Sequence, residues 1–301
     1  MKILLLGKNG QLGWELRRSL AGVGEVIALN RGQADFCDLE NLSRLLAQYA
    51  PQFIVNAAAY TSVDEAQHSP ERAILINGRA PALLADWAAK NNAWLIHYST
   101  DYVFDGTKDG PYREDDAPAP LNVYGQSKLL GDEAIRNSNS RHIILRTGWV
   151  FGVRGNNFAR TILGLAARQN KLSIVNDQFG SPTSAQLLAD ISALLIYRIS
   201  GDANSAALSG LYNLCAQGFT TWYEYGRYLL ENASKLGGRY MLGAADIIPV
   251  AGKDFPRPAP RPANSRLDNG KLKRVFGLQL PPWQYHVDIM LESWTQMRGE
   301  L

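Results

Sequence analysis

A short, mainly apolar run, Lys2-Ile3-Leu4-Leu5-Leu6, stops at Gly7 and is followed by Lys8-Asn9-Gly10-Gln11-Leu12-Gly13. From Leu12 the period changes: Leu12, Leu16 and Leu20 recur on one helical face, with Glu15, Arg17 and Arg18 elsewhere. Strand, glycine turn and helix in immediate succession leave few architectures open. Gly7 permits a tight turn, Gly10 lets backbone approach a pyrophosphate, and Gly13 lets the helix pack closely on the strand. The helix amino terminus then faces the phosphates with its unpaired N–H groups. These residues predict a dinucleotide site on a parallel sheet. The alternative is an ordinary strand-to-helix turn, and three glycines at this spacing after a first strand speak against it.

The second strand is expected over residues 26–29. Dinucleotide folds often place an acid at its end, on the adenosine ribose hydroxyls. Here Asn30 and Arg31 follow instead. Asparagine does not repel a 2′-phosphate, and arginine pairs with one. The pattern leans toward NADPH, or toward use of both NADPH and NADH. For Arg31 a solvated loop charge is an equal alternative.

A second constellation lies in Asn122-Val123-Tyr124-Gly125-Gln126-Ser127-Lys128. Residues 122–138 fit a helix, and positions four apart share a face, so Tyr124 and Lys128 are expected to point the same way. Free tyrosine ionises near 10, too high for efficient proton exchange at neutral pH, and a nearby ammonium is expected to lower that value. Upstream, residues 93–98 read as a buried strand, which puts Ser99, Thr100 and Asp101 at its carboxyl end, the edge where open α/β sheets bind ligands. The Thr100 hydroxyl is placed to polarise a carbonyl beside Tyr124. A Tyr-x-x-x-Lys spacing alone is common in helices; the threonine and the glycine turn give it weight. His97 lies inside the same apolar strand, where a structural role is favoured over that of a base. Trp149 suits stacking on a base or a nicotinamide, with a core position as its rival.

These blocks resemble the extended short-chain dehydrogenase/reductases, and the likeness spans essentially the whole chain. Many members share the Gly7–Gly13 turn, Asn56-Ala57-Ala58-Ala59-Tyr60-Thr61-Ser62-Val63-Asp64, Ser99 to Gly106, and Asn122 to Lys128. More particular to its rhamnose-forming branch are Arg146 to Phe151, Asn176 to Thr183, and Arg261-Pro262-Ala263-Asn264-Ser265-Arg266-Leu267. The resemblance implies a catalytic trio of Thr100, Tyr124 and Lys128. It implies a cofactor lining of Gly7, Gly10, Gln11, Leu12, Asn30, Arg31, Asp38, Leu39, Ala57, Ala58, Ala59, Tyr124 and Lys128, and contacts from Asp101, Phe104 and Trp149 to a dTDP-sugar. The implied reaction is hydride transfer from NADPH or NADH to the C4 keto group of a dTDP-linked deoxysugar. A sugar-nucleotide epimerase or dehydratase on the same scaffold remains a rival, as does a non-catalytic NAD(P)-binding subunit like the regulatory partners of methionine adenosyltransferase. Some members bind Mg2+ between two subunits through three glutamates. Glu15 and Glu292 match two of them, but the third position holds Gln186, a poorer ligand for a hard cation, so a homodimer here is expected without a metal bridge.

Composition sets the remaining bounds. A formal charge of +3 without basic runs implies no nucleic-acid partner. Two cysteines, Cys37 and Cys215, make no disulfide framework, which fits a cytoplasmic setting. The N-terminal apolar run is too short to span a membrane, and no signal-peptide cleavage pattern follows it. No zinc-spaced His/Cys cluster and no Gly-x-Ser-x-Gly elbow is present. The expected architecture is a doubly wound parallel α/β sheet. Residues 1–150, completed by parts of 171–215, form the dinucleotide domain, and 151–301 form mainly a smaller substrate domain. One helix is expected from Ser69-Pro70 to about Asn91, others over 157–169, 183–199 and 221–236, and strands over 172–175 and 211–214. Asp64 and Glu65 are expected on a loop. The five prolines from Pro249 to Pro262 predict an extended boundary or substrate loop.

Overall fold

The computed structural model describes residues 1–138, 140–238 and 240–298. Its centre is a six-stranded sheet ordered Gly210–Asn213, Arg141–Thr147, Trp94–Thr100, Phe53–Asn56, Lys2–Leu6, Glu25–Leu29, with every pairing parallel. Alternation along the strands divides the core in two. Ile3 and Leu5 pack with Leu16, Leu20 and Leu188 on one face, and Leu4 and Leu6 with Leu42, Leu46 and Leu84 on the other. Both faces are covered, which is why the first strand reads as one continuous apolar run. Each of these leucines is fully buried, and burial of such a side chain contributes about 1.5–3 kcal/mol. The doubly wound α/β fold is therefore as expected. Strand order reverses at Lys2–Leu6, between Phe53–Asn56 and Glu25–Leu29, so a crevice opens at the carboxyl ends of these strands.

The helix expected from Pro70 onward is interrupted. The structure has Pro70–Ile74, a π-helical turn over Leu75–Arg79, and Ala80–Lys90. Pro81 has no N–H for the Asn77 carbonyl, so the regular ladder cannot continue there. The helix Val123–Asn137 packs closely at this turn through Gly131, where a Cβ would stand 2.2 Å from the Asn77 oxygen. Asn77 itself accepts from the Tyr60 N–H (2.8 Å) and donates to the Tyr60 carbonyl and Ser127 Oγ (2.9 Å each). The turn thus ties the loop after the third strand to the helix carrying Tyr124 and Lys128.

Three further boundaries differ from expectation. Asp64 and Glu65 lie on a short helix, Val63–His68, rather than on a loop. The helix expected from 183 starts at Ala185, because Thr183 and Ser184 pair with Val150 and Phe151 and Ser184 caps the helix at the Leu187 N–H. Leading into the proline-rich stretch, Ile247–Val250 is an extended strand that pairs with Leu172–Val175. That ladder has only two strands, both of them edges, where a proline such as Pro249 is tolerated. Cys37 is exposed and Cys215 buried, both as free thiols. No helix among the described residues is long and apolar enough to cross a membrane.

Candidate active site

Gly7 adopts φ +89°, and a Cβ there would stand 2.8 Å from the Ala58 nitrogen; one on Gly13 would stand 2.0 Å from the Gly7 oxygen. Glycine is thus required at both positions by the close approach of backbone. Gly10 caps the helix Gln11–Leu20 without a side chain, and its first turn carries no acid, which leaves the helix start suited to an anion. Beside it opens a cleft of about 230 Å³ lined by Gly7, Asn9, Gly10, Arg31, Ala34, Asp35, Phe36, Ala57, Ala58, Ala59, Tyr60 and Ile76.

Several of the expected cofactor residues are therefore brought together, and others are not. Asn30 lies outside this lining and accepts from the Gln33 N–H at 3.1 Å. Asp38 caps the helix Leu39–Tyr49 by accepting from the Asn41 N–H, and Leu39 packs against the core beneath. Leu12 is directed into the other core. Gln11 straps the glycine turn to a distant loop, donating to the Asn156 carbonyl (3.2 Å) and accepting from Asn157 Nδ2 (2.8 Å). Asp35, paired with Arg31 at 3.7 Å, and Phe36 line the cleft without having been singled out in the sequence.

Thr100 ends the strand Trp94–Thr100, and Tyr124 and Lys128 lie in the first turns of Val123–Asn137, whose start is capped by Asn122 accepting from the Gly125 N–H. The Thr100 hydroxyl meets the Tyr124 phenol. It donates its proton to Asp101 Oδ1 at 2.9 Å and accepts from the Tyr102 N–H at 3.1 Å. Lys128 is buried, with Nζ donating to the Tyr98 carbonyl at 2.6 Å and lying 3.0 Å from His97 Nε2. The expected lowering of the tyrosine by the ammonium does not occur. Burial, with Asp101 and Asp132 adding to it against the Thr100 hydrogen bond, pushes Tyr124 up to about 12. Burial brings Lys128 down to about 8, with Asp132 opposing. Beneath them Asp132 accepts from Ser99 Oγ (2.7 Å) and Arg146 Nε (3.3 Å), an ion pair wholly inside the protein.

Next to this trio is a cleft of about 740 Å³ lined by aromatic residues Tyr102, Phe158, Trp222 and Phe255 and by cations Lys253, Arg257 and Arg261. Tyr102 stands edge-on to Tyr124, with ring centroids 5.9 Å apart, and so joins the cleft to the trio. Asp64 fixes the cationic wall: it accepts from Arg261 Nη2 at 2.9 Å and from the Ala259 N–H at 3.2 Å, with Arg257 at 3.9 Å. Burial pushes the Asp64 carboxyl up, but the Ala259 amide and the two arginines outweigh it and hold the carboxyl below the usual range. Trp149 lies flat on Trp222, centroids 3.4 Å apart. Its backbone has φ +50°, strained for a tryptophan, and Gly180 leaves room for the indole, since a Cβ there would come within 2.4 Å of it.

Two expected sugar contacts are placed differently. Phe104 is buried between Tyr112, stacked at 4.1 Å, and the Arg146 guanidinium, rather than presented to the cleft. Asp101 is 2 % exposed, beneath Gly148, and burial raises its carboxyl to about 6 despite hydrogen bonds from Ser265 and Thr100. Trp222, Phe158 and Arg257 come from segments far from the motifs, and only the prolines around Arg257 hinted at a substrate loop. Arg18 contacts Glu15 (3.5 Å), one of the two glutamates named as matching metal ligands, and Asp190 (2.7 Å). No group of three or more His, Cys, Asp or Glu among the described residues is arranged to hold a metal ion. A separate cavity of about 780 Å³, lined by Arg113, Glu114, Arg136, His142, Lys271 and Arg274 among others, contains none of the trio.

Comparison with known proteins matches residues 1–296 to the family described as the RmlD substrate binding domain. The dTDP-4-dehydrorhamnose reductase of Salmonella typhimurium is 46 % identical over 295 residues, covering 97 % of each chain. That of Burkholderia thailandensis is 43 % identical over 97 % of this chain and 99 % of its own. Among solved structures, the Bacillus anthracis dTDP-4-dehydrorhamnose reductase in complex with NADP superposes with a TM-score of 0.88 at 29 % identity, covering 97 % of this chain and 99 % of that one. The Thermus thermophilus UDP-glucose 4-epimerase, at 18 % identity and a TM-score of 0.79, shares the fold. A glycine-turn cleft, a Thr-Tyr-Lys trio and full-length likeness to these enzymes lead to one conclusion: the chain belongs to the dTDP-4-dehydrorhamnose reductase family.

Proposed function

We propose that this protein reduces the C4 keto group of dTDP-4-dehydro-L-rhamnose, with NADPH or NADH as the reductant, to give dTDP-L-rhamnose. The observation that carries the reading is the position of Tyr124, meeting Thr100 and standing edge-on to Tyr102, which lines the aromatic and cationic cleft. When bound, the nicotinamide supplies the hydride. Gly7, Gly10, Arg31 and Ala57 to Ala59 hold the dinucleotide, in a cradle where side chains at Gly7 and Gly13 would collide with backbone. Lys128 orients it from the side of the trio. Tyr124 gives its proton to the developing alkoxide, and Thr100 fixes the phenol. Lys253, Arg257 and Arg261 pair with the substrate diphosphate, and Trp222 and Phe158 offer faces to the thymine. Residues 1–150, completed by parts of 171–215, serve the dinucleotide and 151–301 mainly the sugar nucleotide, in a cytoplasmic enzyme. The test is NADPH oxidation by the purified protein with dTDP-4-dehydro-L-rhamnose, beside dTDP-4-dehydro-6-deoxyglucose. Net oxidation with the first and little with the second is expected. No net oxidation with either would return the scaffold to an epimerase, a dehydratase or a binding subunit.

Cofactor choice follows from the end of the second strand. Asn30→Asp keeps the oxygen that accepts from the Gln33 N–H and adds a negative charge beside the site of a 2′-phosphate. NADPH affinity is expected to fall roughly tenfold relative to NADH. Fluorescence titration of both cofactors against both proteins checks this, and an unchanged ratio would refute it. A homodimer without a metal bridge completes the proposal. With Gln186 in place of a carboxylate, light scattering is expected to give the same mass with and without EDTA, and a loss of mass on chelation would contradict this.

A further inference from the structure

His97 is 1 % exposed and its ring is held at both nitrogens. Nδ1 lies 3.0 Å from Asn56 Nδ2, and Nε2 lies 3.0 Å from Lys128 Nζ. Counting donors fixes the protons. The Ala58 N–H donates to Asn56 Oδ1 at 3.1 Å, and a backbone amide has no other role to offer. The Asn56 oxygen therefore faces Ala58, and its NH₂ faces the histidine. An amide NH₂ only donates, so Nδ1 accepts, and the single proton of a neutral imidazole sits on Nε2. Burial, reinforced by Lys128 and His142, keeps His97 neutral, well below its usual value. That Nε2–H points at Lys128. An ammonium has three protons and no lone pair, so two donors would meet head-on; a neutral amine accepts from Nε2–H and still donates to the Tyr98 carbonyl at 2.6 Å.

We infer that His97, its tautomer set by Asn56, is a positioning residue that presents Nε2–H to Lys128 and favours the neutral amine of that lysine. Besides the Tyr98 carbonyl on the strand Trp94–Thr100, the group acting on Lys128 is Asp132, one turn after it on the same helix, which favours the charged form. Asp132 spends much of its field on Arg146 from the neighbouring strand, at 3.3 Å. His97 thereby sets the pH at which Lys128 changes charge. The inference rests on the placement of Lys128 in the catalytic trio, but its first test needs no substrate.

Long-range 1H–15N spectra of 15N-histidine-labelled protein report the tautomer directly. A proton on Nε2 and a bare, hydrogen-bonded Nδ1 are expected for His97; the opposite tautomer would overturn the inference, whatever the enzyme's substrate. The second test is the pH profile of the wild type, His97→Leu and His97→Gln. Leucine removes the opposing donor, and glutamine is able to turn its oxygen toward an ammonium. Both are expected to move the alkaline limb assigned to Lys128 upward by about one pH unit or more. A uniform loss of rate with an unmoved limb would show a merely structural histidine and overturn the inference.

Discussion

Tyr124→Phe is expected to lower turnover by roughly 10²–10⁴-fold while cofactor affinity hardly moves. The substitution keeps the ring that stands edge-on to Tyr102 and removes only the hydroxyl that meets Thr100. The proton is available while the phenol is neutral, that is, below its pKa, and burial has pushed that value up to about 12. Tyr124 therefore contributes no loss of rate across neutral and mildly alkaline pH. The alkaline limb belongs to Lys128, whose charge is lost as pH rises through about 8. Steady-state kinetics and cofactor titrations of wild type and variant over pH decide both points. Near wild-type turnover in Tyr124→Phe would pass the proton to Thr100, Asp101 or a water.

Arg146→Ala is expected to cost about 3–5 kcal/mol of folding stability. Arg146 is 1 % exposed, pairs with Asp132 and lies over the Phe104 ring. Without it a fully buried carboxylate keeps only the Ser99 hydroxyl at 2.7 Å and the more distant Lys128 charge. Burial already pushes the Asp132 carboxyl above its usual range. A raised folded pKa means stability is lost as pH rises and regained as pH falls, so the deficit of the variant should shrink in mild acid. Urea unfolding at several pH values measures this. The double variant Asp132→Ala, Arg146→Ala should lose less than the two single losses added together, because it leaves no buried charge without its partner. A cost below about 1 kcal/mol at neutral pH would place the pair among surface-like ion pairs.

The parts of the site that were legible in the sequence have local causes. Gly7 and Gly13 stand where backbone crowds backbone, and Asn122 starts a helix by capping it, so the turn and the Tyr124 helix are written in adjacent residues. The parallel sheet followed from the alternation of strand and helical patterns that begins at Lys2–Leu6 and runs to about Arg146. What escaped depends on contacts between distant segments. Trp149 meets Trp222, Asp64 meets Arg261, and Lys128 meets His97, each set by how elements pack rather than by spacing. The π-helical turn at Leu75–Arg79 had a local signal in Pro81, but the reason it is stable lies across the interface at Gly131. The direction of the Tyr124 shift was misjudged because four-residue spacing shows proximity to a lysine and says nothing of burial. Phe104 shows the converse: its motif neighbours reach the site, while its own ring turns into the core.

Hydride transfer to the sugar C4 is followed by isotope transfer. The protein is incubated with NADPH carrying deuterium at the transferable C4 position and with dTDP-4-dehydro-L-rhamnose, and the product is read by mass spectrometry and NMR. One deuterium at C4 of the sugar is expected for each cofactor oxidised, with correspondingly slower incorporation in Tyr124→Phe. Oxidised cofactor without label in the sugar, label at another carbon, or cofactor returned unchanged beside an isomerised sugar would contradict it.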